Sequence, residues 1–320
     1  MIALYINGPI ILILLIYLII SSIKNSRSLF SSFVELYLYL TSNWKWFVRL
    51  PKSFFKFISK HHIENKKVVL KDKKIAIKEI SYHNMQTFII NDNNEASNII
   101  IYLHGGAYIS NPTVHHKHYV KKLAVNTNSI VVFPIYPKTP IHNYKETFSI
   151  IDKLYKDIIN NSKLNVILMG DSSGGGLALV LLEKLAKYNE VQPRKTILFS
   201  PWLDISLSSD GIESYEKVDP MLAIKPIRYV GEFYYKGTNA KDYKVSPLFG
   251  EISKIKNLTI FVGTREILYP ETIRFKDRCE KEKVDLNLII HQGMNHCYPL
   301  YPIKEAKTTN NMIYNIIKQK

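Results

Sequence analysis

Cysteine is scarce in this sequence of 320 residues, which contains only Cys279 and Cys297. Two cysteines exclude a disulfide framework and a cysteine-rich metal cluster, and such low usage is typical of a reducing compartment. Repeats of a fixed period are absent as well, which excludes a solenoid. The length is sufficient for one large α/β domain with a full hydrophobic core.

Acidic residues are also few, since 27 Asp and Glu stand against 43 Lys and Arg, for a formal net charge of +16. Such an excess is found in proteins that bind nucleic acid or anionic membranes, and in chains with a lysine-rich coding bias. No basic run is interleaved with aromatic residues as in nucleic-acid motifs, so no nucleic-acid partner is predicted. The densest basic stretch, residues 66–78, alternates lysine with apolar residues, which indicates strands with one solvated face.

Charged side chains are absent from Met1 to Ile23, and Pro9 to Ile20 is continuously apolar. A helix of this length spans the roughly 30 Å of a bilayer's hydrocarbon core, so residues 1–23 are predicted to form a transmembrane anchor. The basic residues Lys24 and Arg27 follow the apolar run, which disfavours a cleaved signal peptide and places the body of the protein in the cytoplasm. A buried core helix is the alternative.

The remaining chain divides into three parts. Residues 24–65 are aromatic and basic, and are predicted to lie in the membrane interface or to cap the catalytic body. Residues 66–320 form the predicted catalytic domain, in which short apolar strands alternate with helical patterns. This alternation predicts a parallel sheet with helices on both faces. Residues 204–249 interrupt the alternation with three prolines and one helical pattern, and are predicted to form a cap insertion.

Specific ranges follow from these patterns. The predicted strands are 66–70, 74–80, 86–90, 98–103, 129–133, 165–169, 196–199, 258–262 and 285–290. The predicted helices are 116–126, 144–160, 174–188, 227–235, 271–283 and 304–317.

A serine stands on a glycine-rich turn between a predicted strand and a predicted helix, in Gly170-Asp171-Ser172-Ser173-Gly174. A serine hydroxyl reacts only if a base takes its proton and the backbone presents it clear of its neighbours. Glycines at both ends of Gly-x-Ser-x-Gly permit the sharp turn that presents it, and the following helix N-terminus favours developing negative charge. Ser172 is therefore the predicted nucleophile, and Asp171 is predicted to orient its surroundings.

The strand of residues 98–103 ends in His104-Gly105-Gly106-Ala107. Attack of a serine on a carbonyl group produces an oxyanion that requires N–H donors, and paired glycines let backbone amides turn inward at a strand end. The N–H groups of Gly105, Gly106 and Ser173 are the predicted donors. His104 is predicted to hold this loop with its ring.

An acid and a histidine follow the serine in the chain order that this type of site requires. Glu266 comes just after the strand of residues 258–262, and His296 lies in a loop after the last strand. His296 is predicted to take the serine proton and Glu266 to stabilise the resulting imidazolium. Glu271 and Asp285 are alternatives for the acid, and His291, nearer to the strand body, is an alternative for the base.

Three histidines, His115, His116 and His118, stand close together in the sequence. No carboxylate or cysteine stands near them, so the start of a helix is favoured over a metal site. No metal and no cofactor are predicted.

Five motifs together resemble the hormone-sensitive-lipase-like branch of the α/β-hydrolases, over Asn98 to Pro302. They are HGGA, GDSSGG, SPWLDIS, VSPLFG and GMNHCYP. The resemblance implies an α/β-hydrolase fold with a mostly parallel central sheet, helices on both faces and a helical cap. It also implies hydrolysis of esters with short to medium acyl chains, without a cofactor.

The sequence departs from the family pattern at three places. Ala107 replaces the third glycine of HGGG, Tyr136 to Pro140 reads YPKTP where the family often has YRLAPE, and Glu266 replaces the usual aspartate. The glutamate is accepted in other α/β-hydrolases because its longer side chain still reaches the imidazole.

These observations predict a serine carboxylesterase or deacetylase that acts on a small-molecule or lipid-like ester at a membrane. Acyl transfer, or hydrolysis of a lactone or an amide, is an alternative because different nucleophiles intercept the same acyl-enzyme. A ligand-binding protein without catalysis is a further alternative, which the presence of His296 disfavours. The sequence makes no prediction of the oligomeric state.

Overall fold

The computed structural model describes residues 2–42, 45, 51–53, 67–93 and 95–319, with the backbone alone for residues 2–10. Strands in this part of the chain are β1 (Ile77–Tyr82), β2 (Met85–Ile90), β3 (Asn98–Leu103), β4 (Ser129–Pro134), β5 (Asn165–Asp171), β6 (Lys195–Phe199), β7 (Leu258–Arg265) and β8 (Leu286–Asn295). They form one sheet in the order β1-β2-β4-β3-β5-β6-β7-β8. Strand β2 pairs antiparallel with β1 and β4, and all other neighbours are parallel. The predicted mostly parallel sheet is confirmed.

Helices cover both faces of this sheet. In the described residues they are α1 (Ile2–Lys24), α2 (Leu29–Thr41), α3 (Val114–Thr127), α4 (Tyr144–Asn161), α5 (Ser172–Lys187), α6 (Ile212–Val218), α7 (Ile224–Tyr234), α8 (Tyr269–Lys281) and α9 (Lys304–Lys318). One apolar core lies between the sheet and α4, α5 and α8, through residues such as Ile151, Leu181 and Phe275. A second core includes Val120 of α3 and Ile313 of α9.

The predicted strand at residues 66–70 is wrong for its described part, residues 67–70, which pair with no strand. Val68 and Leu70 are nevertheless buried. The side chain of Gln86 accepts the Val68 N–H at 3.2 Å and donates to the Val68 carbonyl oxygen at 2.8 Å. One amide side chain therefore satisfies the backbone groups that a neighbouring strand would otherwise pair.

The cap insertion predicted for residues 204–249 contains α6 and α7. Helix α7 has Pro226 in its first turn, where the missing N–H of proline costs no helical hydrogen bond. Tyr234, near the end of α7, stacks on Tyr108 with ring centroids 3.7 Å apart. The insertion thus packs against the loop that follows β3, although the division of the chain into domains stays a prediction.

The two N-terminal helices differ in their contact with the body of the protein. Helix α2 packs through Val34 and Leu38 against Met294, Tyr298 and neighbouring residues. Helix α1, in contrast, exposes most of its described apolar side chains. These are Ile11, Leu12, Ile13, Leu14, Leu15, Ile16, Tyr17, Ile19, Ile20 and Ile23.

No single helix of the described residues combines the length and the apolar character needed to cross a membrane. The segments Ile11–Lys24 and Leu29–Thr41 meet that requirement only as a pair, with a bend of 110° between them. The transmembrane anchor predicted for residues 1–23 is therefore not supported by this part of the chain. Of the predicted interface or cap segment, residues 24–65, the stretches 43–44, 46–50 and 54–65 lie outside the described residues.

Candidate active site

The turn between β5 and α5 holds Ser172 in a strained backbone conformation, with φ of +53°. Such a φ is unusual for a residue with a side chain, and strained backbone of this kind concentrates at functional sites. The turn also brings α5 very close to β3, since a Cβ on Gly174 would lie 2.1 Å from the Leu103 carbonyl oxygen. Glycine is therefore required at position 174. The turn has the geometry that the Gly-x-Ser-x-Gly pattern predicts.

The Ser172 side chain lines a cavity that it shares with His296. It lies at the N-terminus of α5, where the helix dipole favours negative charge. The helix N-terminus therefore favours the negative charge that develops beside Ser172 when the hydroxyl attacks a carbonyl group. The serine side chain does not serve as a cap of this helix.

The predicted acid and histidine are joined at the carboxyl ends of β7 and β8. Glu266 Oε2 accepts a hydrogen bond from His296 Nδ1, and both side chains are buried. Glu266 Oε1 accepts from the Ser200 hydroxyl at 2.6 Å and from the Gly263 N–H at 3.0 Å. The carboxylate is thus fixed on both oxygens, and the imidazole presents Nε2 to the site.

The pKa of His296 is raised above its ordinary value. Burial alone would lower the pKa, but the charge and hydrogen bond of Glu266, with further contributions from Asp219 and Asp171, outweigh burial. The imidazolium that forms when His296 takes a proton is therefore stabilised by its surroundings. Such stabilisation is what a general base in this position requires.

Asp219 is a buried carboxylate near this pair that the sequence reasoning missed. It accepts the N–H groups of Met221 and Leu222 at 2.8 Å each, and the N–H of Ile267 at 3.0 Å. Burial raises the pKa of Asp219 to about 6, against the opposing effects of His296 and these amides. Asp219 therefore connects the insertion to the loop that carries Glu266.

The oxyanion loop differs from the prediction at Gly105. The Gly105 N–H donates to Asp171 Oδ1 at 3.0 Å, so it is not free to bind an oxyanion. In the described residues, the backbone N–H groups of Gly106, Ala107 and Ser173 have no hydrogen-bond acceptor. Gly106 and Ser173 stay predicted donors, and Ala107 replaces Gly105 in the set.

Asp171 fixes this loop through several contacts. Its Oδ1 also accepts from the Tyr102 hydroxyl at 2.9 Å, and its Oδ2 lies 3.0 Å from His116 Nε2. Because the Thr113 N–H donates to His116 Nδ1 at 3.0 Å, the proton of this imidazole is on Nε2 and points at Asp171. Burial would raise the pKa of Asp171, but His116, Tyr102 and the Gly105 amide outweigh it and lower that pKa.

The predicted alternatives to the acid and the base lie elsewhere. Glu271 accepts the N–H groups of Leu203 and Asp204 at 3.0 Å each, so it supports the segment after β6. Asp285 precedes β8, at the opposite end of that strand from His296. The His291 ring packs edge-on against Tyr298. The His104 ring stacks on Tyr136 and Nδ1 lies 2.6 Å from the Gly105 carbonyl oxygen, as expected of a residue that holds the loop.

A cavity of about 160 Å³ opens onto Ser172 and His296. Its wall is mostly apolar, with polar groups near the serine. The lining residues beyond this pair are Gly106, Ala107, Ser110, Thr113, His115, His116, Asp171, Trp202, Met221, Leu222, Ile227, Leu268, Cys297, Leu300 and Tyr301. A cavity of roughly 150 Å³ accommodates a benzene molecule, so this one takes a group of about six carbon atoms.

Cys297, the residue after His296, is a second neighbour that the sequence reasoning missed. Its Sγ lies 3.4 Å from His296 Nε2 and 3.7 Å from Asp171 Oδ2. Burial raises the pKa of this thiol well above its ordinary value, so the sulfur stays protonated. The thiol therefore occupies space beside the imidazole without competing as a thiolate nucleophile.

Comparisons with known proteins agree with this geometry. A family model described as alpha/beta hydrolase fold matches residues 100–300. An esterase of Acinetobacter venetianus is 29% identical over 209 residues, which are 64% of this chain and 69% of the esterase. An acetyl-hydrolase of Streptomyces hygroscopicus is 25% identical over 54% of this chain and 58% of its own length. The crystal structure of a protein from Staphylococcus aureus aligns with 84% of this chain and with 92% of its own chain. The TM-score is 0.79 and the sequence identity is 28%.

Proposed function

The chain belongs to the alpha/beta hydrolase family and is a carboxylic ester hydrolase, and we propose that it cleaves esters of short acyl chains through an acyl-enzyme on Ser172. The observation that carries this proposal is the shared cavity of Ser172, on its strained turn, and His296, bonded to the buried Glu266. The esterase and acetyl-hydrolase names of the relatives support the same reaction.

In the first half of the proposed reaction, Ser172 Oγ attacks the ester carbonyl while His296 Nε2 takes the hydroxyl proton. This transfer requires the two atoms to come within hydrogen-bond distance, which in many enzymes occurs only when substrate binds. The N–H groups of Gly106, Ala107 and Ser173 stabilise the oxyanion. The intermediate then expels the alcohol, which receives the proton from His296, and the acyl group remains on Ser172.

In the second half, water attacks the acyl-enzyme and gives its proton to His296 Nε2. The second tetrahedral intermediate expels Ser172 Oγ, which recovers that proton, and the carboxylic acid leaves. Glu266 stabilises the imidazolium in both halves from its fixed position on Nδ1. Each half restores the protonation state with which it began.

The size of the cavity sets the expected substrate range. Its volume of about 160 Å³ suits an acyl group of two to about six carbons, and its mostly apolar wall disfavours a charged acyl chain. A long acyl chain would have to leave part of its length outside the cavity, and would therefore contribute less binding in the transition state.

A series of p-nitrophenyl esters from acetate to dodecanoate tests this proposal. We expect kcat/KM to be highest between acetate and hexanoate and to fall at least about tenfold at dodecanoate, which corresponds to about 1.4 kcal/mol. Adding competing alcohols and analysing products separates hydrolysis from acyl transfer. Absence of hydrolysis along the whole series would contradict the proposal.

We also propose that the exposed surface of α1 seats the enzyme on a lipid bilayer. Six consecutive side chains, Ile11 to Ile16, are exposed, and six positions of an α-helix point in every direction around its axis. A single protein partner would cover one side of such a helix, whereas hydrocarbon surrounds it. Lys24 ends α1, and Lys45 and Lys52 follow, so we propose that the catalytic body lies on the cytoplasmic side.

Flotation of the full-length protein with phosphatidylcholine and phosphatidylglycerol vesicles tests the membrane proposal. The wild-type protein is expected to float, and the double variant Ile13→Lys/Ile16→Lys to float at least about tenfold less, since a lysine in hydrocarbon costs about 2.5–3.5 kcal/mol. Val191→Lys is the control, because Val191 is an exposed apolar residue of the catalytic body. The proposal fails if wild-type protein stays with the soluble fraction or if all three proteins float equally.

A further inference from the structure

A buried carboxylate of α2 stands between two arginines from distant parts of the chain. Glu35 is 7% exposed and contacts both guanidinium groups with both of its oxygens. Arg265 donates to it from Nε and Nη2 at 3.0 Å each. Arg27, in the link between α1 and α2, donates from Nη2 at 2.8 Å and also from Nη1. Two-pronged pairs of this kind fix orientation as well as charge.

Arg265 is the last residue of β7 and Arg27 contacts β8, the two strands that directly precede the acid and the histidine. Arg265 directly precedes Glu266, at an irregular position in the pairing of β7 with β8. Arg27 Nη1 donates to the carbonyl oxygen of Gly293, three residues before His296, at 3.2 Å. Gly293 has φ of +74°, and a Cβ there would lie 1.9 Å from the Asn25 carbonyl oxygen. The N-terminal segment therefore meets the carboxyl ends of both strands at close range.

The charges of this cluster depend on one another. Burial would raise the pKa of Glu35, but the hydrogen bonds and charges of Arg27 and Arg265 outweigh it and lower that pKa. The Arg27 side chain is almost fully buried, so removal of the Glu35 charge leaves a cation in the interior without its counterion. An uncompensated buried charge of this kind forces its surroundings to rearrange.

We infer that Glu35 is a positioning residue, which holds the Arg265 backbone, and with it Glu266, in register with His296. This inference rests on the proposed roles of Glu266 and His296. It assigns the N-terminal helices a part in completing the active site, in addition to any contact with a membrane. Misplacement of a catalytic group by about 1 Å costs on the order of 100-fold in rate.

The variant Glu35→Gln tests this inference in the full-length protein with soluble p-nitrophenyl acetate. We expect kcat to fall about 10- to 100-fold with KM changed less than about threefold, because the cavity wall is untouched. We also expect the acidic limb of the pH–rate profile to move to lower pH, because Glu266 raises the pKa of His296 and would do so less well from a shifted position. Glu35→Asp is expected to recover part of the loss.

Glu305→Gln is the matched control, because Glu305 of α9 secures the same helix without a hydrogen bond to the ends of β7 and β8 in the described residues. Its carboxylate accepts from the Ser28 N–H at 2.6 Å, from the Ser28 hydroxyl at 3.0 Å and from the Ser31 hydroxyl. Its kcat is expected to stay within about threefold of wild type and its pH profile to stay unchanged. Equal kcat values and equal pH profiles for the two variants would overturn the inference.

A variant of the partner arginine keeps the test decisive if Glu35→Gln does not fold. Arg265→Lys retains the positive charge beside Glu35 but loses the two-pronged contact, and a kcat at least about fivefold below wild type is expected. A wild-type kcat in this variant would overturn the inference.

Failure of the inference can be distinguished from failure of the proposed function. If Ser172→Ala loses activity while the Glu35 and Arg265 variants keep it, the inference alone fails. If wild-type protein hydrolyses no ester, the proposed function fails.

Discussion

Replacement of Ser172 by alanine should lower kcat for p-nitrophenyl butyrate about 10⁴-fold or more. The hydroxyl oxygen is the atom on which the proposed acyl-enzyme forms. Cys297, the nearest thiol, is kept protonated by burial. Some activity over the rate in water should remain, because the oxyanion donors and the cavity still bind the substrate. Steady-state kinetics with an active-site titration of the wild-type protein measure this loss.

The adjacent serine provides the control for this experiment. Ser173→Ala keeps the backbone N–H that we propose as an oxyanion donor and removes only the hydroxyl, which accepts the Tyr108 N–H at 3.2 Å. Its kcat should fall by no more than about tenfold, the usual scale for a lost neutral hydrogen bond. If Ser172→Ala loses no more activity than Ser173→Ala, Ser172 is not the nucleophile.

Replacement of Glu266 by glutamine should lower kcat about 10³- to 10⁴-fold. The amide removes the negative charge that stabilises the imidazolium and disturbs the tautomer that presents Nε2 to the serine. Because Glu266 raises the pKa of His296, its replacement lowers that pKa. The base form of His296 then persists to lower pH, so the acidic limb of the residual activity should move to lower pH. A pH–rate profile of kcat/KM measures both effects.

Glu271→Gln is the matched control for Glu266. Glu271 is equally buried, and burial raises its pKa well above the ordinary value, so its charged form is disfavoured. An amide oxygen in its place still accepts the N–H groups of Leu203 and Asp204. Its kcat should stay within about threefold of wild type. If Glu271→Gln were instead the variant that loses activity, and Glu266→Gln kept it, Glu271 would be the acid that supports His296.

The sequence could predict the active-site residues that short motifs place at the ends of strands. Ser172 follows a buried strand and begins a helix, and the flanking glycines permit the close approach that this sharp turn requires. Glu266 and His296 follow β7 and β8, which are adjacent and parallel, so their loops emerge at the same edge of the sheet. Chain order, and the position of each residue just after a predicted strand, were sufficient to predict that the acid and the histidine would meet.

The differences between prediction and structure come from hydrogen bonds of individual side chains, whose direction the sequence pattern does not predict. The Gly105 amide is taken by the Asp171 carboxylate, which a glycine pair in the sequence does not reveal. Val68 pairs with the Gln86 side chain instead of a strand, since an amide offers the same donor and acceptor as a backbone group. Neither contact leaves a periodic signal in the sequence.

Residues that contact the site from a distance were missed for the same reason. Ser200 donates to Glu266 across 66 positions of sequence, and Arg265 donates to Glu35 across 230. Asp219 lies in the insertion, where no strand pattern in the sequence indicates which residues face the loop of Glu266. The SPW motif that contains Ser200 carries part of the family resemblance, but only the folded chain assigns the Ser200 hydroxyl to the acid.

The most direct test of the central claim is to locate the covalent adduct of a fluorophosphonate by mass spectrometry of the digested protein. The claim predicts one adduct, on the peptide that contains Ser172, with loss of ester hydrolysis in proportion to labelling and no adduct in Ser172→Ala. An adduct confined to another residue, or an enzyme that hydrolyses esters at full rate after Ser172 is labelled, would contradict it.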